Sequence, residues 1–553
     1  MAESSTYAIG VDFGTESARS VLVRLADRAE IETATHLYEH GVMTETLAAS
    51  GEKLAPNTAL QDPDDYLVAL EKVVRAVVDR SGVDPQQIVG LGVDTTACTI
   101  VLTDDDLVPL PRSPRWKKHP LAYARLWKHH AAQSHAEDIN RAAEAEGGLF
   151  LPQYGGRLSS EWVLPKALQT LREDREVYDA TSRIIEQEDW IVSTLVGTEV
   201  RGASVAGFKG NYREEAGGYP SPDFLDSLEP GFAGVLDKLG HEFLTPGESA
   251  GTLTSEWATR LGLDTHVTVA AGNIDAHAAF LGAGAAQPGT MVAVMGTSVC
   301  NLVVSKEHRT PRGIQGVVKN GILPDHWAYE AGQAGFGDTF GWFARNMTSA
   351  DIADLASISA TSTFEVLESK AQALQPGGSG LIVLDWMNGN RSTLIDSNLS
   401  GAIVGLTLDT RDYHIYRALL EGAAFGQRII LEAFEEAEVP INRFIVCGGI
   451  PAKSPLLMQI LADVIGMPVE VSSSANTSAL GAALHGAIAA GELTWESAGK
   501  AESAIATVYR PSPTAHEAYN EIYTHYRAIH DTFGIDQRSL MHSLREIQAN
   551  STH

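Results

Sequence analysis

Apolar positions along the chain change period repeatedly, and each change marks a predicted element. Residues 7–11 form an apolar run suited to a buried strand, Asp12-Phe13-Gly14-Thr15-Glu16-Ser17 breaks it as a turn, and a strand resumes over 20–25. Asp62-Pro63 then offers an N-cap with proline in the first turn. Leu67, Leu70, Val73, Val74, Val77 and Val78 follow at helical spacing until Gly82 ends the stripe. The next strand is predicted over 88–93, with Asp94-Thr95-Thr96-Ala97-Cys98-Thr99 at or beyond its C-terminal end, where α/β folds bind ligands.

The pattern loosens over 110–240. Pro, Trp, His and Gly become frequent there, as in a substrate-facing insertion. Ser159-Ser160-Glu161-Trp162 opens a helix, and 206–210 reads as a Gly-flanked loop bearing Lys209. The second half is regular again. A strand-like run at 267–271 leads to Asp275 and a helix of small residues. Residues 289–305 predict a hairpin with Gly296-Thr297 at its turn, and 327–337, with Glu330, reads as a transition from apolar run to loop. A long helix covers 417–434, and a strand at 444–447 ends in Gly448-Gly449. Ser454-Pro455 caps a helix that Gly466 and Pro468 stop. A strand at 469–471 and a small-residue helix at 479–490 complete a second α/β unit, and beyond about 493 the pattern is helical. The two strand–turn–strand units share one plan. They predict duplicated α/β domains, 1–287 and 288–553, facing a central cleft.

That plan suggests a chemistry. A carboxylate, Asp275, beside a Gly-Thr loop supplies what phosphoryl transfer to an alcohol needs: a base for the hydroxyl and backbone N–H groups for phosphate. An N-cap aspartate beside an ordinary hairpin is the other reading. Gly14 and Thr15 in the first turn offer a second anion site, and Asp12 at the strand's end could hold a metal ion through water. Gly448 and Gly449, between a strand and a helix N-terminus, suit a nucleotide. His129, His130 and His135 lack the spacing of a metal site. Ala452 stands where a P-loop requires glycine, and the glycine run 282–287 lacks the third glycine of a dinucleotide fingerprint.

Composition narrows the field. At 553 residues the chain exceeds one typical core. With 44% hydrophobic and 20% charged residues it reads as a soluble globular protein. A net charge of -29 opposes a nucleic-acid partner, since a phosphate backbone would be repelled. Cys98, Cys300 and Cys447 are widely spaced and form no CxxC pair, which points to core thiols in a reducing compartment. No basic leader and no apolar run of about 18 residues occurs, so a cytoplasmic protein without membrane contact is expected.

Taken together, the motifs resemble the FGGY carbohydrate kinases, a family with the actin-like, ribonuclease-H-like ATPase fold. They are Val11-Asp12-Phe13-Gly14-Thr15-Glu16-Ser17, Gly92-Val93-Asp94-Thr95-Thr96-Ala97, Leu126-Trp127-Lys128-His129-His130-Ala131-Ala132, Ser159-Ser160-Glu161-Trp162, Gly272-Asn273-Ile274-Asp275-Ala276-His277, Met295-Gly296-Thr297-Ser298 and Cys447-Gly448-Gly449-Ile450. The Leu126-to-Ala132 run and the length favour the branch acting on L-ribulose over those acting on glycerol or xylulose. The resemblance implies Mg-ATP and a sugar as ligands, with L-ribulose phosphorylated on its 5-hydroxyl, and allows a homodimer. It also implies roles. Asp275 would be the catalytic base, Asp12 would lie near Mg²⁺, and Gly14, Thr15, Gly296 and Thr297 would hold phosphates. Gly448 and Gly449 would lie against adenosine, and Lys209, Glu330, the Ala97 backbone and Trp127 would contact sugar. One departure is Ala18, where relatives often have glycine. The alternatives are a kinase for another pentulose or pentitol, an actin- or Hsp70-like ATPase acting on a protein, and, on the broken glycine run alone, a nicotinamide dehydrogenase.

Overall fold

The computed structural model describes residues 5–314, 316–500 and 504–551. They form two compact units, the first comprising Met1–Gln287, Gly316–Ala328 and Asn476–Glu502, the second Pro288–Gln315, Tyr329–Ala475 and Ser503–His553.

The first unit is built on a seven-stranded sheet of β1 (Tyr7–Phe13), β2 (Ser17–Arg24), β3 (Glu30–Leu37), β4 (Ile88–Thr95), β5 (Ser249–Thr252), β6 (Thr268–Ala270) and β7 (Asn273–Ile274). The order is β3-β2-β1-β4-β6-β5, with β7 also pairing with β4. β1 and β4 run two residues further than their apolar cores suggest. β2 and β4 flank β1 on both edges, so the backbone of Asp12 and Phe13 finds ladder partners there. On one face lies the helix Pro63–Ser81. Asp62 accepts a hydrogen bond from the Asp64 N–H, and Gly82 takes the left-handed conformation (φ 68°) that ends the helix. Its Leu70, Val73, Val74 and Val77 share a core with Ile9, Val11, Phe13, Leu91 and Val93. Ala18 sits in the same core, so its methyl group packs inward rather than at the turn.

The other face is covered by the small-residue helix Thr477–Ala489. It lies in the first unit and does not complete the second, because Gly10, Gly90 and Gly92 let it approach at backbone distance. The helix Asp275–Gly282 packs on it through Gly481 and Gly282. The stretch expected to be a loose insertion has a core of its own. Leu60–Gln61, Ala124–Arg125, Ile100–Thr103 and Arg183–Glu186 form a four-stranded sheet. Ile139, Phe150, Trp162, Leu164 and Leu168 cluster in a core that also takes in Ile100, Leu102 and Ile184 of that sheet.

The second unit repeats the plan with β8 (Thr290–Met295), β9 (Val299–Ser305), β10 (Trp327–Gln333), β11 (Arg443–Cys447), β12 (Val469–Ser472) and β13 (Ile505–Tyr509), ordered β10-β9-β8-β11-β12-β13. The antiparallel β8–β9 hairpin and the parallel β8–β11 pair mirror β1–β2 and β1–β4. Residues 327–333 are a strand that passes into loop at 334–336, as expected for the run 327–337. One expectation is corrected here. The tail beyond 493 is not wholly helical, because Ile505–Tyr509, rich in β-branched residues, pairs antiparallel with β12. Ser454 caps the helix Pro455–Ile465 as expected, and Gly466 (φ 71°) ends it. No helix among the described residues is long and apolar enough to cross a membrane.

Candidate active site

The strand ends of the first unit bring three acidic segments side by side. Register pairs Asp12 with Asp94, and Asp94 with Asn273. Asp275 follows two residues later as the first residue of the helix Asp275–Gly282, where its Oδ1 accepts from the Ala276 N–H at 2.6 Å. Asp94 is fully buried, and its carboxyl pairs with that of Asp12. Burial pushes its carboxyl well above the usual range, and the charges of Asp12 and Asp275 push the same way. Asp12, half-buried, is raised too, by desolvation first, with Asp94 and Arg19 offsetting part of it. Asp12 and Asp94, paired so closely, are not both ionised without a cation. Among the described residues, no cluster of three His, Cys, Asp or Glu side chains could hold a metal by itself.

Behind this group stands a second acidic layer. The Thr95 hydroxyl donates to Glu188 Oε2 at 2.6 Å, and Asp189 Oδ1 accepts from the Gly202 N–H at 2.8 Å. Gly272 is required for the approach, since a Cβ there would lie 2.8 Å from the Glu188 Cβ. His277, two residues beyond Asp275 in the same helix, shares a 2.8 Å hydrogen bond with the Ser204 hydroxyl and packs on Phe208.

The turn of the first hairpin is tightly tied. The Gly14 N–H donates to the Ser17 carbonyl at 2.9 Å, and the Tyr38 hydroxyl donates to the Gly14 carbonyl at 3.0 Å. Gln61 Nε2 donates to the Thr15 carbonyl at 2.7 Å, and the Trp127 indole N–H donates to Thr15 Oγ1 at 3.1 Å. The Thr15 hydroxyl therefore keeps its own hydrogen to donate. Lys209 is not on a solvated loop. It ends the short helix Ala203–Phe208 and is buried, with its ammonium 5.8 Å from the centre of the Phe208 ring. Ala97 is half-buried in the loop that follows β4.

Of the remaining predicted residues, Gly296, Thr297, Glu330, Gly448 and Gly449 belong to the second unit. The Gly296 N–H closes its turn on the Ser298 carbonyl at 2.9 Å, as Gly14 does on Ser17, and Thr297 is exposed. Glu330, buried in β10, accepts from Arg391 Nη2 at 2.7 Å. Gly448 and Gly449 are exposed just beyond β11. Gly448 has φ 94°, and a Cβ there would meet the Met295 carbonyl oxygen at 2.5 Å. His129 of the Trp127 run is structural. Nδ1 of the buried His129 accepts from the Ala59 N–H, and its Nε2 pairs with Gln169.

Sequence reasoning did not single out Glu188, His277, Arg391 or Lys166. Glu188 sits within the acidic run Glu186–Asp189 and Arg391 in a polar loop, and only the tertiary fold gives each of the four its neighbour.

Known proteins resemble the chain along nearly its whole length. The N-terminal domain of the FGGY family of carbohydrate kinases matches residues 7–282, and the C-terminal domain of that family matches residues 291–490. A protein named ribulokinase from Mycolicibacterium smegmatis is 46% identical over 549 residues, covering 99% of this chain and 97% of that one. Another ribulokinase, from Shouchella clausii, is 42% identical over 552 residues, covering 99% and 98%. The crystal structure of xylulose kinase from Rhodospirillum rubrum matches with a TM-score of 0.80 at 23% identity, covering 97% of this chain and 100% of that chain. A ligand-bound xylulose kinase from Lactobacillus acidophilus matches with a TM-score of 0.79 at 18% identity, covering 96% and 99%. The structures establish the fold, two actin-like α/β domains. With both family domains matched in order across the chain, the protein belongs to the FGGY family of carbohydrate kinases and is a sugar-phosphorylating enzyme.

Proposed function

We propose that the chain is an ATP-dependent ribulokinase that transfers the γ-phosphoryl group to the 5-hydroxyl of L-ribulose. The observation that carries this reading is identity of 42% and 46%, over 99% of the chain, to proteins named ribulokinase. In this reading Asp275 takes the proton of the 5-hydroxyl as that oxygen attacks phosphorus in line, and ADP leaves. Its place at the head of a helix, beside Asp94 and Asp12, supports the role, because fixed backbone on both sides holds the carboxylate still. Lys209, Glu330, Ala97 and Trp127 bind the sugar. The Gly14-Thr15 and Gly296-Thr297 turns hold phosphates, and Gly448 and Gly449 lie against the adenosine.

Magnesium fits the residues present. The buried carboxyl of Asp94 and the adjacent Asp12 supply hard oxygen donors. Mg²⁺ is commonly held by one or two carboxylates, waters and the substrate's phosphates, with no all-protein cage. When bound, it neutralises charge on the β- and γ-phosphates. The site then reads as Asp12 and Asp94 for the cation and Asp275 for the proton.

A panel of pentuloses and pentitols with Mg-ATP, followed by coupled detection of ADP, tests the assignment. L-Ribulose should give the highest kcat/KM. Preference for another pentulose or a pentitol would shift the protein to a sister activity, and ADP formation indifferent to any sugar would sink the reading.

A further inference from the structure

The helix Val163–Glu173 buries one cation, beside the polar Gln169 and Thr170 and a run of apolar side chains. Lys166 is fully buried, and its ammonium donates to the carbonyl oxygens of Cys98 at 2.5 Å, Arg125 at 3.1 Å and Leu126 at 3.1 Å. An ammonium has three N–H bonds, so all three are spent on main chain. The acceptors belong to two separate segments. Cys98 directly follows Ala97, and Leu126 directly precedes Trp127. The same helix touches a third segment, since the Val163 N–H donates to the carbonyl of Lys209 at 3.3 Å. The first turn of one helix therefore ties together the three stretches of the first unit that carry Ala97, Trp127 and Lys209.

The arrangement is more than a core lysine satisfying itself. Cys98 has φ 66°, in the left-handed region that a residue with a side chain seldom adopts, and the shortest of the three bonds falls on its carbonyl. The Lys166 carbonyl in turn accepts from Arg125 Nη1 at 2.8 Å and from Thr170 Oγ1 at 2.8 Å, so the helix and the Ala124–Arg125 strand grip each other in both directions. Glu186, also buried, lies close enough for Lys166 to stabilise its charge. Burial pulls the lysine's own pKa down, opposed by the charges around it. A buried cation with three carbonyl ligands is a stiff joint, because moving any one segment leaves a charged donor unsatisfied.

We propose that Lys166 is a positioning residue for the sugar: its ammonium fixes the loops bearing Ala97 and Trp127 relative to Lys209, so that the sugar meets a preformed surface. The inference rests on the reading above that these residues face the sugar. Its signature is selective. Loosening the loops taxes sugar binding and leaves nucleotide binding in place.

The test uses the full chain with Lys166→Met, and with Lys166→Gln, which retains two N–H donors, as a second variant in case the first fails to fold. Steady-state kinetics with L-ribulose varied should show KM rising tenfold or more while kcat falls less than threefold, with the Gln variant between wild type and Met. Titration with Mg-ATP in the absence of sugar should give a Kd within twofold of wild type. Hydrogen–deuterium exchange of the sugar-free protein should show amides over 96–99 and 126–131 exchanging at least tenfold faster in the variants, with peptides of the second unit unchanged. That last readout needs no sugar, so it judges Lys166 even if wild type turns over some other substrate and the ribulokinase reading falls. Unchanged exchange in those loops, unchanged sugar KM in a folded variant, or equal loss of sugar and nucleotide affinity would each overturn the positioning role.

Discussion

Gly92→Ala is the sharpest stability test of the fold. A Cβ at Gly92 would lie 1.9 Å from the Ala482 carbonyl oxygen and 2.6 Å from its carbon, and the opposing atoms are helix backbone, which no rotamer change can move aside. Restoring contact distance requires the helix Thr477–Ala489 to retreat by about 1 Å or more, in a close-packed interior where overpacking costs roughly 1–3 kcal/mol and occasionally more. Because the clash is backbone on backbone, the upper end is expected, about 3 kcal/mol. For a unit of this size that lowers Tm by about 4 °C. Gly10, its direct register partner, meets the same helix, with its Cβ 1.8 Å from the Ala479 carbonyl oxygen. A single retreat relieves both clashes. The double variant Gly10→Ala/Gly92→Ala should therefore lose less than the sum of the singles, by at least about 0.5 kcal/mol. Calorimetric or urea unfolding of the four proteins gives the cycle. A Gly92→Ala protein within about 0.5 kcal/mol of wild type, or strict additivity, would refute the packing argument.

Three other outcomes follow from the structure. Lys209→Met and Glu330→Gln should each weaken sugar use about tenfold or more, as expected for losing a charge-assisted hydrogen bond worth roughly 1.5–3 kcal/mol, with nucleotide affinity nearly constant; a variant that lost nucleotide affinity and kept its sugar KM would move that residue to the nucleotide site. Gly448→Ala forces a methyl group onto the Met295 carbonyl at a left-handed position, so the Kd for Mg-ATP should rise about tenfold or more while the first unit's stability is untouched, and normal nucleotide affinity would count against its place beside adenosine. His129 has its pKa pulled down to about 3 by burial first, with Arg125, Lys166 and His130 adding, so the unfolded chain takes up a proton, from pH about 6.5 downward, that the fold refuses. Its stabilisation is full above that pH and falls by about 2 kcal/mol by pH 5, so the urea-unfolding difference between pH 7 and pH 5 should shrink by that amount in His129→Gln, and equal slopes would contradict it.

What the chain reveals without a structure is local. The turns at Gly14 and Gly296, the capped helix at Asp62-Pro63 and the one at Ser454-Pro455 all carry their signals within a few residues, and the structure places them where those signals fall. Tertiary effects escaped. The helix Thr477–Ala489 looks like a continuation of the second unit, and nothing in its own sequence says that three distant glycines in the first unit will receive it. Lys209 reads as part of a Gly-flanked loop because sequence carries no sign of the burial that the fold imposes. Glu330 looked like the edge of a loop, since a charged residue amid Tyr, Ala and Gly breaks the apolar run, yet Arg391 supplies the counter-charge that lets it sit inside a strand. Lys166 gave no signal at all, because its three acceptors are main-chain carbonyls, which every residue possesses.

The account turns on Asp275 as the base that activates the sugar hydroxyl. Asp275→Asn keeps the side chain's size and its place at the helix start but removes the proton acceptor. Turnover of Mg-ATP with saturating L-ribulose, followed by ADP release, should fall by about 10²–10⁴. Calorimetric affinity for L-ribulose should stay within a few fold of wild type. Near-normal turnover in the folded variant would contradict the assignment of Asp275.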